Sequence, residues 1–220
     1  MKRIVFFVLV MGLVVSVFAQ QTPQPQFASG TWASVNGRYY QNDETASLAK
    51  ANIQVPQRGS MLYDFNVRYE GGGEDGHGGF GVHLFIDRAY NGASWGSGNS
   101  YLLWLNYDEK PLDNTISAGL SGQLYRSYSN TRMELLQSVD LNEYLPILLY
   151  NVSLNTIISF RIWVNGETGE IRVYDPGNPL KYYLIELDKR ELPLQGDWVA
   201  VRTNRIKLSF APGLVSLSGM

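Results

Sequence analysis

Few side chains in this sequence have the types and spacing that catalysis requires. The 220 residues include no cysteine and two histidines, His77 and His83, so thiol chemistry is excluded and a transition-metal site is poorly supplied with ligands. Retaining hydrolysis of a glycosidic bond needs two carboxyl groups roughly 5–5.5 Å apart. Asp87 and Asp108 fall at the ends of consecutive predicted strands, where they could meet across the strands. An acid pair of this kind keeps a glycoside hydrolase among the alternatives.

A second pattern places aromatic side chains beside amides, acids and arginines at alternate strand positions. An indole face packs on the C–H side of a sugar ring, and planar polar groups bind vicinal hydroxyls. If Phe65, Val82, Leu84 and Ile86 face inward, alternation turns their polar neighbours outward. The predicted ligand face comprises Asn66, Arg68, His83, Phe85, Asp87, Trp104, Asn106, Asp108, Arg161 and Trp163, with Tyr90 and Trp95 in a loop beside it.

The same aromatic pattern is compatible with two further roles. Phe85, Trp104 and Trp163 could be covered by a loop or by the short segment 141–149, in which case they only pack. Alternatively the face could dock another protein of a cell-envelope assembly, because large exposed apolar patches mark interaction sites. The sequence therefore predicts a binding surface for a carbohydrate or for an envelope protein.

The elements that must position these residues are predicted to be short antiparallel strands. Period-two segments separated by glycine, asparagine, aspartate and proline clusters begin at Phe27 and continue to the end of the chain, which is typical of an all-β domain. Strands are predicted at 61–70, 80–87, 100–108, 115–120, 123–128, 132–139, 156–165, 170–175, 181–186, 198–202 and 207–211. Segments 141–149 and 187–192 are the two short helical candidates. The predicted fold class is an all-β, two-sheet antiparallel β-sandwich.

The start of the chain predicts export. Met1, Lys2 and Arg3 form a basic head, residues 4–17 are almost wholly apolar, and small residues stand at Val17 and Ala19. This is typical of a cleaved secretory signal peptide, and the apolar run is shorter than the roughly 20 residues of a membrane span. We predict a signal peptide at 1–19, a flexible lead at 20–26 and a single β-sandwich domain at 27–220.

The composition of the chain limits the classes of molecule that the protein is expected to bind. The net charge is −2 and 17% of the residues are charged, below the usual fraction of about 25%, so no basic surface indicates nucleic acid or anionic lipid. No second apolar span follows residue 20, and an exported chain without cysteine relies on its core rather than on disulfides. A periplasmic or secreted bacterial protein is the predicted location.

The order of segments resembles the concanavalin A-like (laminin-G, glucanase-type) jelly rolls. Residues 30–41, with Trp32 before the Asn36-Gly37 turn, resemble the opening strands of that fold, and residues 160–166 resemble a late strand that ends in Asn165-Gly166. The resemblance implies a jelly roll and, through the lectins among its members, a carbohydrate ligand. Hydrolases of the family carry a Glu-x-Asp-x-x-Glu pattern, which no segment reproduces. Calcium is common in the fold, but no Asp-x-Asp-x-Asp run marks a site, so no cofactor is predicted.

Overall fold

The structure, a computed structural model, describes residues 24–73, 76–142 and 157–216. The predicted signal peptide and most of the helical candidate 141–149 lie outside these residues. The described strands are β1 (Gln26–Ser29), β2 (Trp32–Val35), β3 (Arg38–Gln41), β4 (Ala49–Gln57), β5 (Ser60–Gly72), β6 (His77–Ile86), β7 (Ser100–Asp108), β8 (Gly119–Ser127), β9 (Met133–Asp140), β10 (Ile157–Asn165), β11 (Glu170–Asp175), β12 (Asn178–Glu186), β13 (Gly196–Asn204) and β14 (Ile206–Ser216).

These strands form two antiparallel sheets, as predicted. Sheet A has the order β1-β4-β13-β6-β7-β8-β9, and sheet B has the order β12-β11-β10-β5-β14-β3-β2. Neighbours in each sheet are often distant in sequence; β13, for example, lies between β4 and β6. The connections therefore cross between the sheets, as in a jelly roll.

Several local predictions differ from the structure. The two strands predicted at 115–120 and 123–128 are one continuous strand, β8. Residues 115–118 are not a strand: the Asp113 carboxylate accepts hydrogen bonds from the backbone N–H and the hydroxyl of Thr115, at 2.9 and 2.7 Å, and β8 begins only at Gly119. The helical candidate 187–192 is a single 3-10 turn, Lys189–Glu191, because Asp188 caps it by accepting from the backbone N–H of Arg190. At the other end of the chain, β1 begins at Gln26, inside the predicted lead.

The core lies between the two inner faces. Met61, Tyr63 and Phe65 from β5 are fully buried and pack with Val82 and Leu84 from β6, as the period-two pattern of both segments predicts. Phe80 of sheet A and Phe160 of sheet B meet edge to face, with their ring centroids 4.9 Å apart.

A bulge in β6 reverses the predicted orientation of two residues. Phe85 has a φ of 56°, and the register with β13 shifts between Trp198 and Ala200, so that one extra residue is inserted at this point of β6. Phe85 consequently turns into the core, 4% exposed and edge-on to Tyr63. Ile86 pairs with Trp198, whose neighbour Val199 is in the core, and so lies on the outer side of sheet A, where it is still fully buried. The predictions that Phe85 faces out and Ile86 faces in are therefore wrong.

Candidate functional site

The structure does not bring the predicted ligand face together. Asn66 and Arg68 lie on β5, and Arg161 and Trp163 lie on β10, both in sheet B. The remaining strand residues lie in or beside sheet A. The outer faces of two packed sheets point in opposite directions, so the predicted residues form two separate surfaces on the two sides of the sandwich.

The outer face of sheet B is a surface of matched charges. Arg161 binds Asp64, with Nη2 and Oδ2 2.6 Å apart, and Arg68 binds Glu70, with Nε and Oε1 2.7 Å apart. Arg38 donates to the backbone oxygen of Asn66. Each of these guanidinium groups already has an acceptor, which leaves little free polar capacity for a ligand.

Trp163 belongs to the same closed arrangement on sheet B. The guanidinium carbon of Arg172 lies 4.6 Å from the Trp163 ring centre and 4.9 Å from that of Tyr182. Glu170 in turn accepts a hydrogen bond from Arg172. One face of the Trp163 indole is therefore occupied by an arginine of its own sheet.

The proposed acid pair is absent. Asp108 pairs in register with His77, the first residue of β6, whereas Asp87 follows the last residue of that strand. At about 3.3 Å per residue, the two carboxylates stand roughly 30 Å apart. The Asp87 carboxylate instead accepts hydrogen bonds from the backbone N–H groups of Arg88 and Asn99, at 2.7 and 2.8 Å, and so closes the base of the loop between them.

That loop, residues 87–99, covers the outer face of sheet A; we refer to it as the covering loop. Beneath it lie Lys50 on β4, His83 on β6, Arg202 on β13 and Trp104 on β7, each at most 7% exposed. The register places Lys50 directly opposite Arg202. His83 pairs with Ala200, two residues from Arg202 on the same face. The lysine, the histidine and the arginine thus converge on one small area.

Polar side chains of the sheet bind the covering loop. Lys50 Nζ donates to Ser94 Oγ at 2.7 Å and to the Gly96 oxygen at 2.8 Å. Arg202 Nη1 donates to the Trp95 oxygen at 2.8 Å. A second set of hydrogen bonds reaches the loop from the β8–β9 turn, including the Gly96 N–H to the Asn130 oxygen at 3.0 Å. The loop is therefore fixed from two sides.

Trp104 is buried because two glycines make room for it. A Cβ on Gly79 would lie 2.2 Å from Trp104 Cζ2, and one on Gly81 would lie 2.7 Å from Trp104 Cε3. The indole consequently lies flat against β6, donates from Nε1 to Asn106 at 3.1 Å and is 7% exposed. Trp104 supports the site from below and does not present a ring to solvent.

The aromatic rings that do reach solvent are in the covering loop. Trp95 is 62% exposed and Tyr90 is 40% exposed. The guanidinium carbon of Arg202 lies 5.3 Å from the Trp95 ring centre and 4.9 Å from that of Trp104. A cation between two indoles holds both rings by cation–π attraction, and it leaves much of the Trp95 side chain open to solvent.

Burial lowers the pKa values of the three basic side chains in this cluster, Lys50, His83 and Arg202. Desolvation, helped by the nearby charge of Arg202, lowers the pKa of Lys50 to about 7. Desolvation also lowers the pKa of Arg202 to about 10. For His83, burial first and then the charges of Lys50 and Arg202 hold the pKa well below its ordinary value, so this imidazole is neutral at pH 7.

Sequence reasoning missed Lys50, Asn52 and Arg202 as site residues. A signal was present, because Lys50, Asn52 and Gln54 alternate with Ala51, Ile53 and Val55, which is the pattern of a half-buried strand. The predicted strands nevertheless omit this segment. That a lysine, a histidine and an arginine from three strands share one covered face depends on strand order, which a single sequence does not show.

A separate cavity of about 480 Å³ opens between the sheets. Its lining is mostly apolar, with Leu124, Val139, Phe160 and Val173 among the contributing residues. Polar side chains also contribute to this lining, among them Gln123, Gln137, Asp175 and Lys181.

Within the described residues, no group of three or more histidine, aspartate or glutamate side chains could hold a metal ion. No described helix is long and apolar enough to span a bilayer.

Comparison with known proteins establishes the fold. No protein-family model and no curated protein matches the sequence. Similar solved structures include the carbohydrate binding module CBM66 from Bacillus subtilis, with a TM-score of 0.56 and 10% identity over 89% of this chain and 98% of that one. The carbohydrate recognition domain of Emp46p in its potassium-bound form has a TM-score of 0.53 and 11% identity over 86% of each chain. The CBM2 module of the evolved Dit of Lactobacillus casei BL23 phage J-1 has a TM-score of 0.51 and 11% identity over 84% of this chain and 78% of that one. These similarities confirm the predicted two-sheet jelly-roll fold.

Proposed function

We propose that this protein is an exported, non-catalytic carbohydrate-binding domain whose ligand surface is the covering loop on sheet A. Trp95 and Tyr90 supply the exposed rings of this surface, and Asp87 closes the base of the loop. Two of the similar folds are carbohydrate-binding modules by name and a third is a carbohydrate recognition domain, which supports the ligand class.

The observation that carries this proposal is the exposed and immobilised indole of Trp95. Its side chain is 62% exposed, yet its backbone oxygen is bonded to Arg202 and its ring is held by the same guanidinium. A ring fixed before binding loses little conformational entropy when a sugar stacks on it. The Trp95 indole is therefore preorganised as a stacking platform.

We expect the Trp95→Ala variant to bind its glycan about two- to tenfold more weakly, because loss of one aromatic stacking partner removes roughly 0.5–1.5 kcal/mol. A glycan array would identify the ligand, and titration calorimetry would give the two dissociation constants. Trp163→Ala is the matched control, since that indole lies on the opposite side of the sandwich. Equal losses in both variants, or no glycan bound by the wild-type protein, would refute the proposed surface.

Export is the second part of the proposal. It is supported by the basic head of the chain and the apolar run at 4–17. We expect the protein recovered from a bacterial periplasm or medium to begin at Gln20, because signal peptidase recognises small residues such as Val17 and Ala19 and cleaves after the second of them. N-terminal sequencing after cell fractionation tests this. A cytoplasmic chain that retains Met1 would contradict it.

A second candidate function is docking to an envelope protein. It is favoured by the exposed apolar side chains of Leu180, Tyr182 and Leu184, which alternate along β12 at 89%, 45% and 45% exposure. They lie at the edge of sheet B, away from the covering loop. Failure of the wild-type protein to bind any glycan on the array would favour this candidate.

A further inference from the structure

We propose that the glycan bound at the covering loop is acidic, and that Lys50, His83 and Arg202 form the subsite for its anionic group. The group would be a sugar carboxylate or sulfate, which share the same negatively charged oxygen acceptors. This inference rests on the proposed function, because it names the class of ligand for the same surface.

The first reason is a charge imbalance. Lys50 and Arg202 are buried, at 0% and 4% exposure, whereas every described aspartate and glutamate is at least partly exposed. On the outer face of sheet B, by contrast, arginines bind carboxylates directly. Burying a cation without an anion is costly, and a negatively charged ligand would supply the missing partner.

The second reason is that the cluster retains unused hydrogen-bonding capacity. Within residues 24–73, 76–142 and 157–216, the hydrogen-bond acceptors of Lys50 and Arg202 are one hydroxyl and two backbone oxygens of the covering loop. Arg202 Nε and His83 Nε2 in the cluster, and Ser97 Oγ in the loop that covers it, are buried and have no hydrogen-bond partner among the described residues. The Arg202 N–H and the Ser97 hydroxyl are donors, and His83 Nε2 is a donor in one tautomer. Several donors around two cations suit an anionic oxygen.

Asn52 adds a complementary group at the edge of the cluster. Its Nδ2 donates to the Tyr90 oxygen at 3.2 Å, and its buried Oδ1 has no partner in the part of the chain that the structure describes. This acceptor would suit a sugar hydroxyl next to the acidic group. Of these four atoms without a partner, three can donate a hydrogen bond and one accepts. An acidic sugar needs donors for its anionic oxygens and an acceptor for a neighbouring hydroxyl.

Entry of the acidic group requires the tip of the covering loop to move, since residues 94–97 lie over the cluster. The tip is flanked by Gly92 and Gly98, and Gly98 has a φ of 53°. Glycine tolerates changes of backbone conformation that other residues resist. A ligand that replaces Ser94 Oγ and the Gly96 oxygen on Lys50 exchanges neutral acceptors for a charged one, which favours opening. Arg202 would meet the anion through Nε and keep its contact with the Trp95 indole.

The test is an array of matched acidic and neutral glycans. It would include oligogalacturonate with its methyl ester, and sulfated with unsulfated lactose, so that carboxylate and sulfate are distinguished. We expect the wild-type protein to bind the acidic member of at least one pair about 20-fold more tightly, the effect of one charge-assisted hydrogen bond. In Arg202→Gln both members should bind more weakly, because Arg202 also holds Trp95, and the acidic preference should fall to the few-fold share that Lys50 supplies. Arg161→Gln, on sheet B, is the matched control.

A second measurement covers the case in which Arg202→Gln fails to fold, as judged by circular dichroism. The groups that face Lys50 are the charged Arg202 on β13, the titratable His83 on β6, and the polar groups of Ser94 and Gly96 in the covering loop. The acidic preference of the wild-type protein should fall several-fold between pH 6 and pH 9, because Lys50 loses its charge over this range. Sulfate and the galacturonate carboxylate remain ionised throughout.

The outcomes separate the two proposals. Equal binding of acidic and neutral partners would overturn the anionic subsite and leave the carbohydrate function standing. A preference for acid that persists unchanged in Arg202→Gln and from pH 6 to pH 9 would also overturn the subsite, because the charge would then be recognised elsewhere. Absence of binding to every glycan would overturn both.

Discussion

The free energy of unfolding of this protein is expected to rise between pH 5 and pH 9. Lys50 has a folded pKa of about 7 and an unfolded value near 10.5, so between these values the unfolded state binds the additional proton. Stability therefore increases with pH in that range and is constant with respect to Lys50 below pH 7. At 1.36 kcal/mol per pH unit as the upper limit, we expect a gain of about 2 kcal/mol between pH 7 and pH 9.

His83 extends the effect to lower pH. Its folded pKa lies well below the ordinary value, because the imidazole is buried beside Lys50 and Arg202. Below about pH 6.5 His83 is protonated in the unfolded state but stays neutral in the folded state, so the free energy of unfolding falls as the pH falls. Above about pH 9 Tyr63 begins to oppose the rise, because burial raises its folded pKa and the unfolded state gains stability as its tyrosine ionises.

Urea unfolding at five pH values between 5 and 9 measures this dependence. In Lys50→Met the gain between pH 7 and pH 9 should vanish, whereas the decline below pH 6.5 should remain because it comes from His83. Lys110→Met, at an exposed position, should keep the wild-type profile. An unchanged slope in Lys50→Met would mean that Lys50 is charged and solvated in the folded protein.

The same reasoning links stability to the proposed ligand. An anion placed beside Lys50 favours the protonated amine and raises its pKa, so binding of an acidic glycan would take up a proton above pH 7. Stabilisation by an acidic glycan should then be larger at pH 7 than at pH 9, in parallel with the fall in acidic preference.

The sequence predicts the fold better than the site, for a physical reason. Alternation in 61–70 correctly identifies Met61 and Phe65 as core residues, because the side chains of a strand alternate whatever its neighbours are. Alternation does not say which strands share a sheet. Arg161 and Trp104 both face outward, yet they lie on opposite sides of the sandwich because β10 belongs to sheet B and β7 to sheet A.

Two further errors come from interactions between distant segments. Phe85 points inward because of a bulge that involves β13, more than a hundred residues later in the chain. Trp104 is buried because Gly79 and Gly81 on the neighbouring strand leave space for its ring. Neither the bulge nor the strand pairing is encoded in the local pattern. Tyr90 and Trp95, which belong to a predicted loop and not to a strand face, are exposed in the structure.

The bulge in β6 is expected to depend on Gln57, a fully buried residue at the end of β4. Its Oε1 accepts the Phe85 backbone N–H at 2.8 Å and the Tyr63 hydroxyl at 2.7 Å. Its Nε2 donates to the Trp198 oxygen at 2.7 Å. One amide thus satisfies three polar groups, including the N–H that the bulge removes from the regular ladder.

Gln57→Leu should lower the free energy of unfolding by about 3–4 kcal/mol, because each buried polar group left without a partner costs about 1–3 kcal/mol. Urea unfolding at pH 7 measures the loss. Gln54→Leu, on the same strand but exposed, should change stability by no more than about 0.5 kcal/mol.

Adding Tyr63→Phe to Gln57→Leu should recover about 1 kcal/mol, because it removes one of the unsatisfied groups. Tyr63→Phe alone should be destabilising, and this reversal of sign is the expected signature of direct coupling. A loss below about 1 kcal/mol in Gln57→Leu, less than one unsatisfied group costs, would show that the packing of Phe85 against Tyr63 maintains the bulge without the amide.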